Sequence, residues 1–364
     1  MDLAYPRLSN ETKALRGWWH PVARVSDLGD APLRTELLGT PWVIVRLGDR
    51  LAAFVDRCPH RFAPLSAGQV LNGELECPYH GWRYGPEGRC SAIPALGPDA
   101  PLPPKACLVP AAGVEERYGL IWVAPDEPTA DIIALPDWGD PRFELGWLTP
   151  RSTPMGAGYM LDNFIDFAHF PFLHRATIGA DAATVIEGYD VERTGWSFSF
   201  SYTQPFNNHE DPEVIAGRRP VTQTRTMVTR YQAPFSLCVT FTNHEQGAVS
   251  VIALFVQPMN ARQSRLYNFL MRSDLKGNRA ALDDALDYEK RILDEDFALQ
   301  ERYDIFDLPL DVREEVHTRA DRATLELRRI LRDLVATASE VPEEQEGGPG
   351  PLENETSLVW QGGR

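Results

Sequence analysis

The sequence predicts an α+β fold in two parts. Residues 1–125 read as a small antiparallel β domain, and residues 126–338 as a second domain with a curved antiparallel sheet and a long C-terminal helix. Three observations predict this. Helical periodicity is nearly absent before about residue 125, where short apolar runs are separated by turn residues. Between about 185 and 275 the segments WSFSFSYTQPF, TRTMVTRYQAPFSLCVTFTN, AVSVIALFVQP and SRLYNFLMR alternate apolar and polar residues, the period of a strand with one buried face. Residues 278–302, NRAALDDALDYEKRILDEDFALQER, then carry the strongest amphipathic helical pattern in the chain.

Taken in order, PWVIVRLGDRLAAFVD (41–56) is two apolar runs around Gly48-Asp49, a β-hairpin signal. GELECPYHGWRYGPEGRC repeats the pattern with Gly85-Pro86-Glu87-Gly88 as its turn, and RYGLIWVAP (117–125) is a further strand ended by Pro125. Met160–Phe170 has apolar residues at helical spacing, and Pro171 is expected to break or kink that helix. NNHEDPEVIAGRRPVTQ (207–223) reads as a polar loop able to cap the mouth of a pocket. On the 278–302 helix the apolar stripe runs Ala285, Tyr288, Ile292 and Leu299. Residues 339–364, rich in Glu, Gly and Pro, read as a disordered acidic tail.

Composition narrows the function classes. The 364 residues suffice for two domains and a large core. A net charge of −16 opposes binding to nucleic acid, whose phosphates it would repel; it suits solubility or docking onto a basic partner surface. No apolar run approaches the ~20 residues of a membrane span, and MDLAYPRLSNETKALRGWW lacks the basic start and apolar middle of a signal peptide, so the expected location is the cytoplasm. An odd five cysteines in that compartment do not suggest a disulfide framework, and Cys90, Cys107 and Cys238 read as ordinary buried residues. The chain has no G-x-G-x-x-G dinucleotide fingerprint and no Cys₄ ferredoxin motif.

One stretch carries unmistakable chemistry. DRCPHRFAPLSAGQVLNGELECPYHGWRY holds Cys58 and His60 in one loop, then Cys77 and His80 in another. Each loop is stiffened by a proline and offers one soft sulfur and one imidazole. Zinc accepts Cys₂His₂, but its ligand pairs usually segregate as Cys-x₂₋₄-Cys and His-x₃₋₅-His. Mixed loops suit a [2Fe–2S] cluster in which one iron takes two thiolates and the other two imidazoles. The pattern C-x-H, sixteen residues, C-x₂-H resembles the Rieske motif, and the resemblance makes Cys58, His60, Cys77 and His80 the cluster ligands.

A Rieske electron carrier needs only about a hundred residues, and more than that remains. YMLDNFIDFAHFPFLHRATIG (159–179) contains Asn163, Asp166, His169 and His174 as N-x₂-D-x₂-H-x₄-H. Asp166 and His169 share a helical face, whereas an ideal helix would splay His169 and His174 by about 140°. A catalytic Fe(II) held by two histidines also needs a carboxylate. Asp296 falls on the apolar stripe of the 278–302 helix, where a buried carboxylate calls for a cation; Glu295 sits at its margin as second choice, and Asp294 points away. Phe241, Asn243, His244 and Phe255 are the residues of the sheet expected to line a substrate pocket, with no charged residue in the pocket strands calling for a carboxylate.

Together these features resemble the catalytic α subunit of Rieske non-heme iron oxygenases over roughly residues 15–335. The resemblance implies a helix-grip-like catalytic domain, a mononuclear iron on His169, His174 and Asp296, and O₂ as cosubstrate. It implies that Asp166, with Asn163 beside it in the motif, serves catalysis, Asp166 by bridging to a Rieske histidine, His80, of a neighbouring subunit in a head-to-tail trimer. It implies a ferredoxin or flavin reductase as partner, with NAD(P)H used only through it. The expected reaction is hydroxylation or oxidative demethylation of an aromatic or heterocyclic small molecule. The competing readings are ring cis-dihydroxylation, a Rieske electron carrier without oxygenase activity, and a zinc-stabilised binding protein.

Overall fold

A computed structural model describes residues 7–339; apart from Ser339, the tail expected at 339–364 lies outside the described residues. The first part is built from short antiparallel ladders. His20–Arg24, Leu120–Ala124 and Gly113–Arg117 form one sheet, and Leu33–Leu37, Thr40–Leu47 and Arg50–Val55 form another. Gln69–Leu71, Glu74–Glu76, Arg83–Tyr84 and Cys90–Ala92 make a four-stranded sheet. The expected hairpin at 41–56 is present, with Gly48 at φ 62°, the left-handed conformation that such a tight turn demands. The strand expected at 117–125 starts later. Tyr118 and Gly119 both take positive φ and make a turn, so Arg117 ends one strand and Leu120 begins the next.

The second part centres on an eight-stranded antiparallel sheet. Ser197–Asn207, Thr222–Gln232, Ser236–Asn243, Val249–Asn260 and Gln263–Arg272 follow one another across it. Glu144–Trp147 and Arg151–Thr153 both pair with the last of these, and Glu192–Thr194 closes the other edge. Alternation gives the sheet two buried faces. On one, Leu237, Val239, Leu254 and Val256 pack with the helices α1 (Ala157–Ile165), α4 (Arg279–Gln300) and α5 (Arg322–Ser339). On the other, Cys238, Ala253, Phe255, Tyr267 and Phe269 pack with Leu120 and Trp122 of the first part. The two parts are also stitched by hydrogen bonds. Gln257 Nε2 donates to Thr35 Oγ1 (3.0 Å) and to the Glu36 carbonyl (2.6 Å), and the Leu38 amide donates to the Pro258 carbonyl (2.8 Å).

Two helices differ from expectation. The helix over 160–170 ends at Ile165, because Asp166 is extended (φ −71°, ψ 142°). The break therefore precedes Pro171, which instead opens the short helix α2 (Phe170–Leu173), where its missing N–H costs nothing; a second short helix, α3 (Pro212–Ile215), interrupts the loop expected at 207–223. On α4, capped by Asn278 accepting from the Ala281 amide (3.2 Å), the buried face runs Leu282, Ala285, Glu289, Leu293, Asp296, Phe297 and Gln300. Leu299 is exposed, and Tyr288 and Ile292 are half-buried because they face a cavity rather than packed side chains.

Candidate metal centres and active-site cavity

The two Cys/His loops are the same turn used twice. In the first, the Cys58 amide donates to the Ala63 carbonyl (2.9 Å) and the Phe62 amide to the Cys58 carbonyl (2.9 Å). In the second, the Cys77 amide donates to the Trp82 carbonyl (2.8 Å) and the Gly81 amide to the Cys77 carbonyl (3.1 Å). Phe62 and Gly81, four residues after each cysteine, both take positive φ (58° and 67°). The sulfurs of Cys58 and Cys77 are buried over Val43, Val45 and Leu75, with Tyr84 Oη 3.2 Å from Cys58 Sγ. The imidazoles lie towards the surface: His60 and His80 are 4.5 Å apart between ring centroids, and His60 stacks on Trp82. His60 Nδ1 is buried with no hydrogen-bond partner among the described residues. Two buried sulfurs, two outward imidazoles and an orphaned ring nitrogen fit a [2Fe–2S] cluster whose histidine-ligated iron faces out.

The second centre is assembled from α1, the break after it, α2 and α4. His169 Nε2 and His174 Nε2 face each other at 3.2 Å, and Asp296 Oδ1 lies 3.6 Å from the first and 3.3 Å from the second. Three donors spaced that way fit one ion at the ~2.0–2.2 Å bond lengths of nitrogen and carboxylate ligands. The extended Asp166 lets the chain turn so that two histidines five apart converge. Each outer edge of the triad is held. Asp166 Oδ2 lies 2.9 Å from His169 Nδ1 and also accepts from the His169 amide. Glu295 Oε2 lies 2.7 Å from His174 Nδ1 and accepts from Thr177 Oγ1 (2.8 Å), and Asn163 Nδ2 donates to Asp296 Oδ1 (2.9 Å). Burial works against charge on His174, but Asp296 and then Glu295 outweigh it and hold its pKa above the ordinary value. Burial likewise raises Asp166, yet the bond to His169 prevails and keeps it low. Asp294 points away, paired with Lys290 (2.6 Å) and Arg151 (2.5 Å).

The three donors open onto a cavity between α4 and the sheet. Phe241 and Asn243 line it, as do Asn207, Asn208 and Glu210 from the start of the 207–223 segment. Two expected pocket residues do not. His244 is exposed in a turn, 2.8 Å from Thr226 Oγ1, and Phe255 faces the opposite side of the sheet against Trp122. Cys107 is exposed and Cys90 half-buried; only Cys238 of the three spare cysteines is buried. The expectation of no charged residue in the pocket strands is overturned by Arg225, which lines the cavity and is buried to 7 % exposure. Its sequence signal was present: in TQTRTMVTRYQ, Arg225 is in phase with the buried Gln223, Met227, Thr229 and Tyr231. Glu289 and Tyr288 of α4 also line the cavity, and no periodicity argument had marked them as polar lining.

Comparison with known families agrees with this anatomy. Residues 18–111 match the Rieske [2Fe–2S] domain, and residues 156–337 match the vanillate O-demethylase oxygenase C-terminal domain. The chain therefore belongs to the Rieske non-heme iron oxygenases as a catalytic α subunit, an oxidoreductase of that class whose family carries a Rieske cluster and a mononuclear iron. It is 30 % identical over 340 residues to methylxanthine N1-demethylase NdmA of Pseudomonas putida, covering 90 % of this chain and 91 % of that one. It is 37 % identical over 185 residues to the oxygenase component of dicamba O-demethylase from Stenotrophomonas maltophilia, 48 % of this chain and 51 % of that one. The structure of Pseudomonas putida NdmA with caffeine superposes with a TM-score of 0.79 at 28 % identity, covering 91 % of this chain and 94 % of that chain. No helix among the described residues is long and apolar enough to cross a membrane.

Proposed function

We propose that this chain is the terminal oxygenase of a multicomponent system that oxidatively removes a methyl group from, or hydroxylates, an aromatic or heterocyclic small molecule. The observation that carries the reading is the facing triad of His169, His174 and Asp296 at the end of a cavity with largely apolar and aromatic walls. Cys58, His60, Cys77 and His80 would hold the cluster. When bound, the cluster supplies single electrons and the ferrous ion supplies O₂ activation. The chain's own task is geometric. Phe164, Phe170 and Phe241 exclude water and hold the substrate's methyl-bearing carbon near the triad. Asp166 and Glu295 fix both imidazoles with Nε2 inward. Hydroxylation of an N- or O-methyl group leaves a carbinol that releases formaldehyde, as the demethylase names of the relatives suggest by analogy.

The division into units 1–125 and 126–338 follows the two chemistries. A ferredoxin or flavin reductase drawing on NAD(P)H is the electron source in this reading, and the cytoplasm its location. The exposed His80 and the half-exposed Asp166 support a head-to-tail homo-oligomer, a trimer, in which one subunit's cluster serves the next subunit's iron. The test is turnover with a surrogate reductase, NADH and ¹⁸O₂ over a panel of methylated aromatics. Formaldehyde and a demethylated product are expected. His169→Ala and His174→Ala should abolish product while leaving the cluster's visible spectrum; loss of that spectrum would overturn the two-site assignment.

A further inference from the structure

Arg225 is the unexplained charge in the cavity. It reaches inward from the middle of the sheet, and its Nε and Nη2 are buried without a hydrogen-bond partner among the described residues. Its neighbours are rings: the guanidinium carbon lies 4.4 Å from the centroid of Phe241, 4.7 Å from Phe206 and 5.5 Å from Phe170. Ring faces attract a cation, but they do not replace the hydrogen bonds that water would give its donors. The half-buried Arg272 and the buried Arg328 are, by contrast, neutralised. Arg272 pairs with Glu210 and Asp274, and Arg328 holds Asp162 through both nitrogens. Glu210 is thus already committed. Glu289, whose field also reaches Arg225, makes no ion pair with it, and burial pushes that carboxyl up to about 7. Burial draws Arg225 down only to about 10, so it stays cationic at neutral pH.

We propose that Arg225 anchors an anionic group of the substrate, so that this oxygenase takes aromatic or heteroaromatic carboxylic acids. The inference rests on the oxygenase reading above and names its substrate class. A guanidinium offers two parallel donors, the match for a carboxylate, and an incoming acid would satisfy donors that no described protein group satisfies. The position fits orientation as well as charge. The Phe170 ring neighbours both groups: its centroid is 5.5 Å from the guanidinium carbon, 4.9 Å from the His169 ring and 5.6 Å from the His174 ring. A substrate ring lying along Phe170 would place its carboxylate on Arg225 and a distal methoxy or N-methyl group at the triad. Tyr288 Oη, also buried without a partner among the described residues, is a second donor available to the acid.

The experiment is anaerobic calorimetric titration of the holoenzyme with methoxylated benzoates, naphthoates and nicotinates, each against its primary amide, with caffeine as a neutral heterocycle. At least one acid should bind tenfold or more tighter than its amide. Arg225→Met should erase that preference and Arg225→Lys should retain part of it, with the cluster's visible spectrum reporting that each variant is folded. Equal or tighter binding of the amides or caffeine to the wild type overturns the proposal, as does an acid preference that survives in Arg225→Met, or no binding of any acid. The wild-type comparison stands even if a variant does not fold. Acid-selective binding without formaldehyde from any ligand would remove the demethylation reading and leave this one intact; formaldehyde only from neutral ligands would do the reverse.

Discussion

At His174 the two ring nitrogens meet two adjacent acids, one on each side of the imidazole. Nε2 faces Asp296 at 3.3 Å, while Nδ1 meets Glu295 at 2.7 Å. Neighbours on a helix point about 100° apart, so Asp296 enters the triad as Glu295 reaches round to the far edge of the ring. In the proposed reading Asp296 would be the ligand and Glu295 a positioning residue. Asp296→Asn should take the purified protein from about three irons per chain to about two, with the cluster spectrum unchanged. Glu295→Gln should keep the third iron at saturating Fe(II) but bind it about 10- to 100-fold more weakly, the usual cost of losing a carboxylate behind a ligating histidine. Iron and sulfide analysis after dialysis separates the two. The opposite pattern, with Glu295→Gln stripped and Asp296→Asn loaded, would exchange the roles.

Among the elements, the paired cluster loops show what a sequence reveals and what it hides. The Cys-Pro start of each loop was plain in the chain, and so were the four donors. That both loops close as one turn was not, because the residue in the left-handed conformation is Gly81 in one loop and Phe62 in the other, and only glycine advertises that conformation. At Gly81 a Cβ would also stand 3.2 Å from Pro94 Cγ. Gly81→Ala should therefore destabilise the cluster domain by about 1–2 kcal/mol. Phe62→Gly, which removes an exposed side chain and its strain, should stay within about 1 kcal/mol of the wild type. Thermal loss of the cluster's visible absorption measures both, and an unchanged Gly81→Ala would remove the argument. The sheet was readable from its alternation, and so was the buried Asp296. The end of α1 was not, because it depends on Asp166 accepting from the Ala168 and His169 amides, a local choice that no apolar period encodes. Leu299 departs from the expected stripe because α4 turns its polar Glu289 and Asp296 to the cavity, buries Gln300 beyond it and leaves an apolar residue in solvent.

For the whole molecule, the open question is which iron each cluster serves. Within one chain Asp166 spends its carboxylate on His169 and on two backbone amides, while His80 lies exposed on another part of the fold. If the ring proposed above is right, the electron crosses between subunits, and complementation can detect it. Cys77→Ser should yield a chain with a live mononuclear site and no working cluster; His169→Ala should yield the reverse. Each homo-oligomer should be inactive. Co-expressed in equal amounts, they assemble at random, and a productive pair needs an intact iron site next to an intact cluster on the donor neighbour. Each condition holds for half the chains, so about a quarter of wild-type turnover per chain is expected, whatever the number of subunits in a head-to-tail ring. Transfer within a chain predicts none, because no single chain in the mixture carries both centres. Mixing the separately purified, fully assembled variants should give no activity either, which separates subunit exchange from free diffusion of electrons between oligomers.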